Sequence, residues 1–133
     1  MYTFKKEERL CNKRLLDELF RSGSSFLCYP FRVSWLQASV QQPATVQVVF
    51  AVSKKRYRRA VDRNLIKRRM REVYRLHKQL LLYQPLQEQG TQILLSLNYI
   101  GKEINDFTFM DKKMVKLLSQ LCEQAYANHP KAV

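Results

Sequence analysis

The sequence predicts a single α+β domain in which one mixed β-sheet is covered by helices, in the order α-β-β-(β)-α-β-α. The length of 133 residues suits one compact domain and is too short for two. Stretches that alternate apolar and polar residues, as half-buried strands do, lie between stretches whose apolar residues recur at helical spacing. With 46% hydrophobic residues and only 3 glycines, the composition argues against extensive disorder. We therefore treat residues 1–133 as one domain, with a flexible tail expected at 129–133.

The first half of the chain is expected to form one helix followed by strands. A helix is predicted over about residues 7–22, where one face carries Leu10, Leu15, Leu16, Leu19 and Phe20. We expect Gly23 to end this helix in a left-handed turn. Alternation predicts strands over residues 31–35 and 45–52, and a short extra strand is expected near residues 25–29.

The second half is expected to hold two helices and one strand. The apolar period changes to 3.6 residues over about 61–83, which predicts the long helix of the chain. A break containing Gln and Pro is expected over 84–90, and a strand over 92–98 follows it. The last helix is predicted from near Thr108 to about Asn128, with Thr108 and Asp111 forming a capping box.

The charge of the chain is its most unusual property. Lys and Arg total 24 against 11 acidic residues, which gives a formal net charge of +13. So large an excess in a short chain favours a polyanionic partner, either nucleic acid or an anionic membrane. No apolar run approaches the roughly 20 residues of a membrane span, and we see no secretory signal or lipidation box. We therefore expect no membrane partner and a cytoplasmic location.

The three cysteines are widely spaced and indicate neither a disulfide framework nor a zinc site.

The basic residues concentrate in one segment, residues 54–78, which holds twelve of the 24 and only two acids. If this segment forms a helix, its polar residues fall on one side of that helix: Arg63, Asn64, Lys67, Arg68, Arg71, Arg75 and Lys78. The opposite side is apolar: Leu65, Ile66, Met70, Val73, Leu76 and Leu80. Arg69 falls within the apolar arc and is expected to reach an edge. Like charges four residues apart repel unless an anion neutralises them, and the planar guanidinium suits phosphate. This spacing predicts an RNA- or DNA-binding surface.

We find no catalytic constellation in the chain itself. The acids are scattered, so no pair is predicted to hold a divalent ion, and Asp62 is interpreted as the cap of the basic helix. His77 and His129 are interpreted as structural residues. We therefore predict that the chain alone performs no covalent chemistry and holds no metal.

The string FAVSKKRYRRAVDRNLIKRRMREVYR at residues 50–75 resembles the signature of the bacterial ribonuclease P protein component. Arg63, Asn64, Lys67, Arg68 and Arg71 match the fixed positions of the Arg/Asn-rich helix of that family. The segment DELFRSG at residues 17–23 also matches. The sequence departs from the family pattern at two places. Residues 56–59 form a longer stretch without glycine, where we expect a different turn. Leu16 occupies a position where the family often has Phe.

The resemblance implies a function that composition could not show. The family assists an RNA catalyst, ribonuclease P RNA, which with magnesium removes the 5′ leader of precursor tRNA. The Mg²⁺ is expected to be held mainly by the RNA partner and the substrate. The helix would face that RNA, and a cleft between the first helix and the sheet would bind the leader. The fold is expected to be similar to a ribosomal-protein domain with a left-handed βαβ crossover.

Two sets of site residues follow from the charge pattern and the resemblance together. The RNA-binding set is Lys54, Lys55, Arg58, Arg59, Arg63, Asn64, Lys67, Arg68, Arg71 and Arg75. The leader cleft is predicted to contain Phe20, Phe31 and Arg32, while Trp35 and Phe50 are interpreted as core residues. The alternatives are a ribosomal or other structural RNA-binding protein of similar fold, and an independent nuclease.

Overall fold

The computed structural model describes residues 5–39 and 41–128 and has the predicted α+β architecture. The helices are α1 (Lys13–Ser22), α2 (Ala60–Lys78), α3 (Gln84–Gln89) and α4 (Phe107–Asn128), with a 3₁₀ turn at Lys6–Glu8 and a π-helical turn at Gln79–Tyr83. The strands are β1 (Ser24–Cys28), β2 (Phe31–Gln37), β3 (Val46–Val52) and β4 (Ile93–Tyr99). The predicted tail at 129–133, with His129, lies outside the described residues.

The four strands form one mixed sheet in the order β1-β2-β4-β3. The β1–β2 and β2–β4 pairs are antiparallel, whereas β3 and β4 are parallel. The short strand expected near 25–29 is confirmed as β1, which forms an edge of the sheet. Because parallel neighbours cannot be joined by a tight turn, the chain crosses from β3 to β4 through α2 and α3. The left-handed sense of this crossover stays a prediction.

The strand alternation separates two faces of the sheet. One face carries Phe31, Val33 and Trp35 of β2, all buried in the main core with residues of α2 and α4. The opposite face carries Leu36 and Leu94, which α1 covers through leucines of its own. The sheet is therefore covered by α2 and α4 on one side and only in part by α1 on the other.

The core stripe of α2 is confirmed at its centre and wrong at its end. Ile66, Met70 and Val73 are fully buried as predicted, and Tyr74 joins them. Leu80, which is predicted to lie in the core, is 64% exposed. The cause is the π-helical turn at Gln79–Tyr83, whose wider turns shift the following side chains away from a 3.6-residue period.

The predicted break at 84–90 is also wrong, because the chain continues as α3. Pro85 occupies the first turn of α3, which is the part of a helix where proline is tolerated. The helix ends at Gly90, whose φ of 70° lies in the left-handed region. Pro and Gln therefore mark the start of another helix here.

Gly23 ends α1 for a different reason from the one predicted. Its φ is −76°, so the expected left-handed turn is wrong. A Cβ at this position would lie 2.4 Å from the carbonyl oxygen of Leu19 and 2.8 Å from that of Trp35. Glycine is needed because the end of α1 approaches the backbone of β2 closely.

The start of α1 also differs from the prediction. The helix begins at Lys13 and is therefore shorter than predicted. The side chain of Asn12 caps it by accepting hydrogen bonds from the N–H groups of Arg14 and Leu15.

The start of α4 also differs from the predicted capping box. The helix begins at Phe107, and the carboxylate of Asp106 accepts a 2.8 Å hydrogen bond from the N–H of Phe109. Asp106 is therefore the residue that caps the first turn, and Thr108 lies inside the helix.

A buried ionic cluster fastens the N-terminal segment to the helical region. The Nζ atom of Lys78 lies 2.5 Å from Oε1 of Glu8, and Tyr83 also donates its hydroxyl to that oxygen. Both Lys78 and Glu8 are buried, so the predicted outward position of Lys78 is wrong. The second carboxylate oxygen of Glu8 accepts from the backbone N–H of Lys5 at 2.7 Å. Glu8 thus supplies the negative charge that allows Lys78 to lie in the interior.

We expect Glu8→Ala to lower the free energy of unfolding by about 3–5 kcal/mol, because it leaves the Lys78 ammonium buried without its carboxylate. Urea unfolding at neutral pH measures this change. The matched control is Glu7→Ala, which removes an exposed neighbouring acid and should change stability by less than about 0.5 kcal/mol. Equal stability of the two variants would contradict the role of Glu8.

The same contribution should depend on pH. Burial raises the pKa of Glu8, but hydrogen bonds from Lys78, Tyr83 and the Lys5 backbone lower it more, so the net pKa lies below the usual value. A lowered folded-state pKa gives stability that is complete above the unfolded pKa and lost as the pH falls through the folded one. The stability difference between wild type and Glu8→Ala should therefore shrink below about pH 4.

Candidate nucleic-acid interface

The outward side of α2 carries the predicted basic residues. Asn64, Arg68 and Arg71 are exposed and Lys67 is half-buried. Within residues 5–39 and 41–128, none of these four side chains forms a hydrogen bond or an ion pair. Their charges are therefore not neutralised by the described part of the chain, which leaves them available to an anionic partner.

Two other arginines of the predicted set have internal partners. Arg63 is half-buried and donates through Nη1 to the carbonyl oxygens of Tyr57 and Arg58, at 2.9 and 2.7 Å. Arg75 forms an ion pair with Glu72, at 2.5 Å between Nη2 and Oε1. The hydrogen bond from Arg75 lowers the pKa of the Glu72 carboxyl, although burial opposes it slightly. Arg63 thus holds the start of α2, and the charge of Arg75 is partly offset.

The loop before α2 is anchored by hydrogen bonds, while the difference of its turn from that of the family stays a prediction. The Ser53 hydroxyl accepts from the backbone N–H of Lys55 at 3.2 Å, and Tyr57 is buried with its hydroxyl 2.6 Å from the Gly101 carbonyl oxygen. Arg56 donates to the carbonyl oxygen of Ile100. These anchors leave the remaining cations of the loop exposed: Lys54, Lys55, Arg58 and Arg59. The anchoring role of Tyr57 was not predicted, since its partner lies 44 residues away.

Arg69 reaches the edge of the core as expected. It is half-buried and donates through Nη1 to the carbonyl oxygen of Asn105 at 2.7 Å. This bond ties α2 to the loop between β4 and α4, so that α2 is held at several points along its length.

A second surface lies between α1 and the open half of the sheet. A cleft of about 260 Å³ is lined by Phe20, Ser25, Arg32, Ser34, Ala51, Ser96 and Asn98. Phe20 is 63% exposed, and Arg32 is exposed on the strand below it. An exposed aromatic ring beside a cation is the combination that single-stranded nucleic acid favours.

The prediction that Phe31 lines this cleft is wrong. Phe31 is fully buried and packs edge-on against Tyr99, with ring centroids 6.0 Å apart. Because neighbouring residues of a strand point to opposite faces, Phe31 enters the main core while Arg32 enters the cleft. Trp35 is a core residue as interpreted, with Nε1 3.0 Å from Oε1 of Gln124, and Phe50 is half-buried against Tyr74.

Four polar residues of the cleft were not predicted. Ser96 and Asn98 lie on β4 directly opposite Ser34 and Arg32 of β2, and Ser25 pairs with Ser34 from β1. The signal was present in the sequence, because Ser96 and Asn98 interrupt an otherwise apolar strand at alternate positions. Such a period indicates a second face that is not part of the core.

The described residues do not form a metal site. Over residues 5–39 and 41–128, no group of three or more His, Cys, Asp or Glu side chains could hold a metal ion. His77 contacts Asp111 of α4, at 2.6 Å between Nε2 and Oδ1, which accords with its structural interpretation. Across the same described ranges, no helix is long and apolar enough to cross a membrane.

Comparison with known proteins confirms the resemblance inferred from residues 50–75. The family described as Ribonuclease P matches residues 4–122. The ribonuclease P protein component of Porphyromonas gingivalis is 36% identical over 116 residues, covering 87% of this chain and 84% of that protein. The structure of the ribonuclease P protein from Thermotoga maritima matches with a TM-score of 0.67 at 23% identity, covering 85% of this chain and 96% of that chain. The corresponding structure from Staphylococcus aureus has a TM-score of 0.66 at 21% identity, covering 87% and 96%.

The two structural matches support the fold, and the family match extends over the basic helix and the cleft. Because that match spans most of the chain and a curated relative shares more than a third of the aligned residues, this protein belongs to the ribonuclease P protein component family.

Proposed function

We propose that this chain is the protein subunit of a ribonuclease P ribonucleoprotein, in which it binds ribonuclease P RNA and the 5′ leader of precursor tRNA. In this role it assists magnesium-dependent endonucleolytic removal of the leader, and the RNA is the catalyst. The observation that carries the proposal is the set of cations on α2, Lys67, Arg68 and Arg71, which the described part of the chain does not neutralise. Phosphates are the anions that an Arg-rich helical face suits.

The cleft supports the second half of the proposal. Its exposed Phe20 offers a stacking surface, Arg32 a cation, and Ser34 and Asn98 offer hydrogen-bonding groups at the cleft floor. Stacking and backbone charge together bind single strands with little demand on sequence, which is what a variable leader requires.

Magnesium enters the proposal only through the RNA. The described side chains offer no group of carboxylates, thiols or imidazoles suited to a divalent ion, so no residue of this chain is assigned to the metal. Mg²⁺ would then be held mainly by phosphates of the RNA partner and the substrate. The protein contributes binding and orientation of those phosphates through its cations.

Reconstitution tests the proposal directly. The purified chain, added to a bacterial ribonuclease P RNA, should stimulate leader removal at low magnesium, where the RNA alone is least able to hold its substrate. The assay follows the cleaved leader from labelled precursor tRNA. Absence of stimulation would refute the proposed function, and cleavage by the chain without RNA would favour an independent nuclease.

Arg68→Ala should weaken assembly with ribonuclease P RNA and reduce the slope of log affinity against log salt by about one unit, because one fewer counterion is released. Filter binding at several salt concentrations measures the slope. Lys116→Ala is the matched control, since it removes an exposed cation of α4 that is outside the predicted RNA-binding set. The same change of slope in both variants would show that only net charge matters.

Phe20→Ala should cost roughly 1–3 kcal/mol in precursor tRNA binding and leave the salt slope and mature tRNA binding nearly unchanged. The reason is that an exposed ring contributes stacking on the leader, which mature tRNA lacks. Competition binding of precursor and mature tRNA to the holoenzyme measures the difference.

Phe31→Ala provides the contrast for this experiment. Phe31 is fully buried, so its truncation should lower the free energy of unfolding by about 3–5 kcal/mol, whereas Phe20→Ala should leave the thermal midpoint almost unchanged. Equal loss of precursor and mature tRNA binding in a folded Phe20→Ala variant would remove Phe20 from the leader site.

A further inference from the structure

Tyr57 joins the loop before α2 to the loop that follows β4. Its side chain is buried, and its hydroxyl donates a 2.6 Å hydrogen bond to the carbonyl oxygen of Gly101. Burial is the largest cause that raises the pKa of Tyr57 above its usual value, so the hydroxyl stays protonated and remains a donor at neutral pH. Arg56 donates to the neighbouring carbonyl oxygen of Ile100. Two consecutive side chains of the glycine-free stretch 56–59 thus contact the same short segment.

The loop that accepts these bonds, residues 100–106, is itself connected to the core. The hydroxyl of Tyr99, a fully buried residue of β4, donates to the carbonyl oxygen of Glu103 at 2.5 Å and accepts from the backbone N–H of Asn105 at 3.0 Å. The carbonyl oxygen of Asn105 accepts from Arg69 of α2 at 2.7 Å. Tyr57 is therefore anchored to a loop that the central sheet and the basic helix both hold.

The turn that Tyr57 anchors, residues 53–59, carries exposed cations on both sides of it. We call them the four turn cations: Lys54, Lys55, Arg58 and Arg59. Across residues 5–39 and 41–128, their side chains make no hydrogen bond or ion pair. Their like charges repel one another, so the charges themselves do not order the turn. Arg63 of α2 also donates to the carbonyl oxygen of Tyr57, which fixes the backbone between the cations.

We propose that Tyr57 is a positioning residue for RNA binding, whose hydrogen bond to Gly101 orders the four turn cations before ribonuclease P RNA binds. The inference rests on the proposed function of the chain. Because Tyr57 is buried, it acts through the backbone of its exposed neighbours and does not touch the RNA. Groups that are already ordered lose less conformational freedom on binding, so an anchored turn binds phosphates more tightly than a free one. The position lies where the sequence departs from the family pattern, so no role of a family residue is carried over to it.

Tyr57→Phe removes the hydroxyl and keeps the buried ring. Affinity for ribonuclease P RNA should fall about threefold to tenfold, because binding must then order the turn. Filter binding measures the change. Tyr74→Phe is the matched control, since it removes another buried tyrosine hydroxyl, 3.3 Å from that of Tyr83, and leaves the turn intact. Its RNA affinity should stay within about twofold of wild type.

Hydrogen exchange shows whether the hydroxyl orders the turn. In the free protein, the backbone amides of residues 54–59 should exchange faster in Tyr57→Phe than in wild type, and at the wild-type rate in Tyr74→Phe.

A double-mutant cycle separates positioning from general destabilisation. The second background is Lys54→Ala/Lys55→Ala/Arg58→Ala/Arg59→Ala, measured at the same low salt concentration as wild type. There the turn has no cations left to position, so adding Tyr57→Phe should change RNA affinity by less than about twofold. A residue that only stabilised the fold would lower the affinity by the same factor in both backgrounds.

Three outcomes would overturn the inference and leave the proposed function intact. Amide exchange that does not change in Tyr57→Phe would show that the hydroxyl does not order the turn. Faster exchange with wild-type RNA affinity would show that order in the turn does not affect binding. Equal losses of affinity in the two backgrounds would make Tyr57 a structural residue only. Failure of the wild-type chain to bind ribonuclease P RNA at all would instead refute the proposed function.

Discussion

The parallel pairing of β3 with β4 is the constraint on which both candidate RNA surfaces depend. A parallel pair needs a long crossover, and here the crossover is the basic helix α2 followed by α3. Since β4 also pairs with β2, it is an interior strand, and its polar side chains Ser96 and Asn98 line the cleft. One strand thus fixes the position of the cationic helix relative to the cleft, because both surfaces are built against it.

The alternation of side chains along each strand could be predicted from the sequence, but which element packs on each face of the sheet could not. Alternation alone places Phe31 and Arg32 on opposite sides of β2. Which side faces α1 depends on how that helix docks on the sheet, and docking is a tertiary property. Assigning both residues to the cleft conflicts with the alternation itself. Phe31 is two residues before Val33 and four before Trp35, so all three lie on the core face of β2.

The periodicity of α2 predicts its exposed cations because their position depends on local geometry alone. It fails from Lys78 onward, where distant partners decide. The carboxylate that allows Lys78 to be buried belongs to Glu8, 70 residues earlier, and the π-helical turn after it changes the phase of the helix. Neither a long-range ion pair nor a change of helical type leaves a local signal. The same is true of Tyr57, whose hydroxyl bonds to a carbonyl 44 residues away.

The acids that contact α2 distinguish its C-terminal part, which packs against other elements, from the cationic surface at its middle. Glu72 pairs with Arg75, Asp111 contacts His77, and Glu8 pairs with Lys78, so the acids described in these contacts all meet the C-terminal part of the helix. In the middle of the helix, the described contacts of Lys67, Arg68 and Arg71 include no acid. Folding therefore neutralises charge where the helix must pack and leaves it where a phosphate backbone can supply the missing counter-charge, so that repulsion in the free protein becomes part of the driving force for RNA binding.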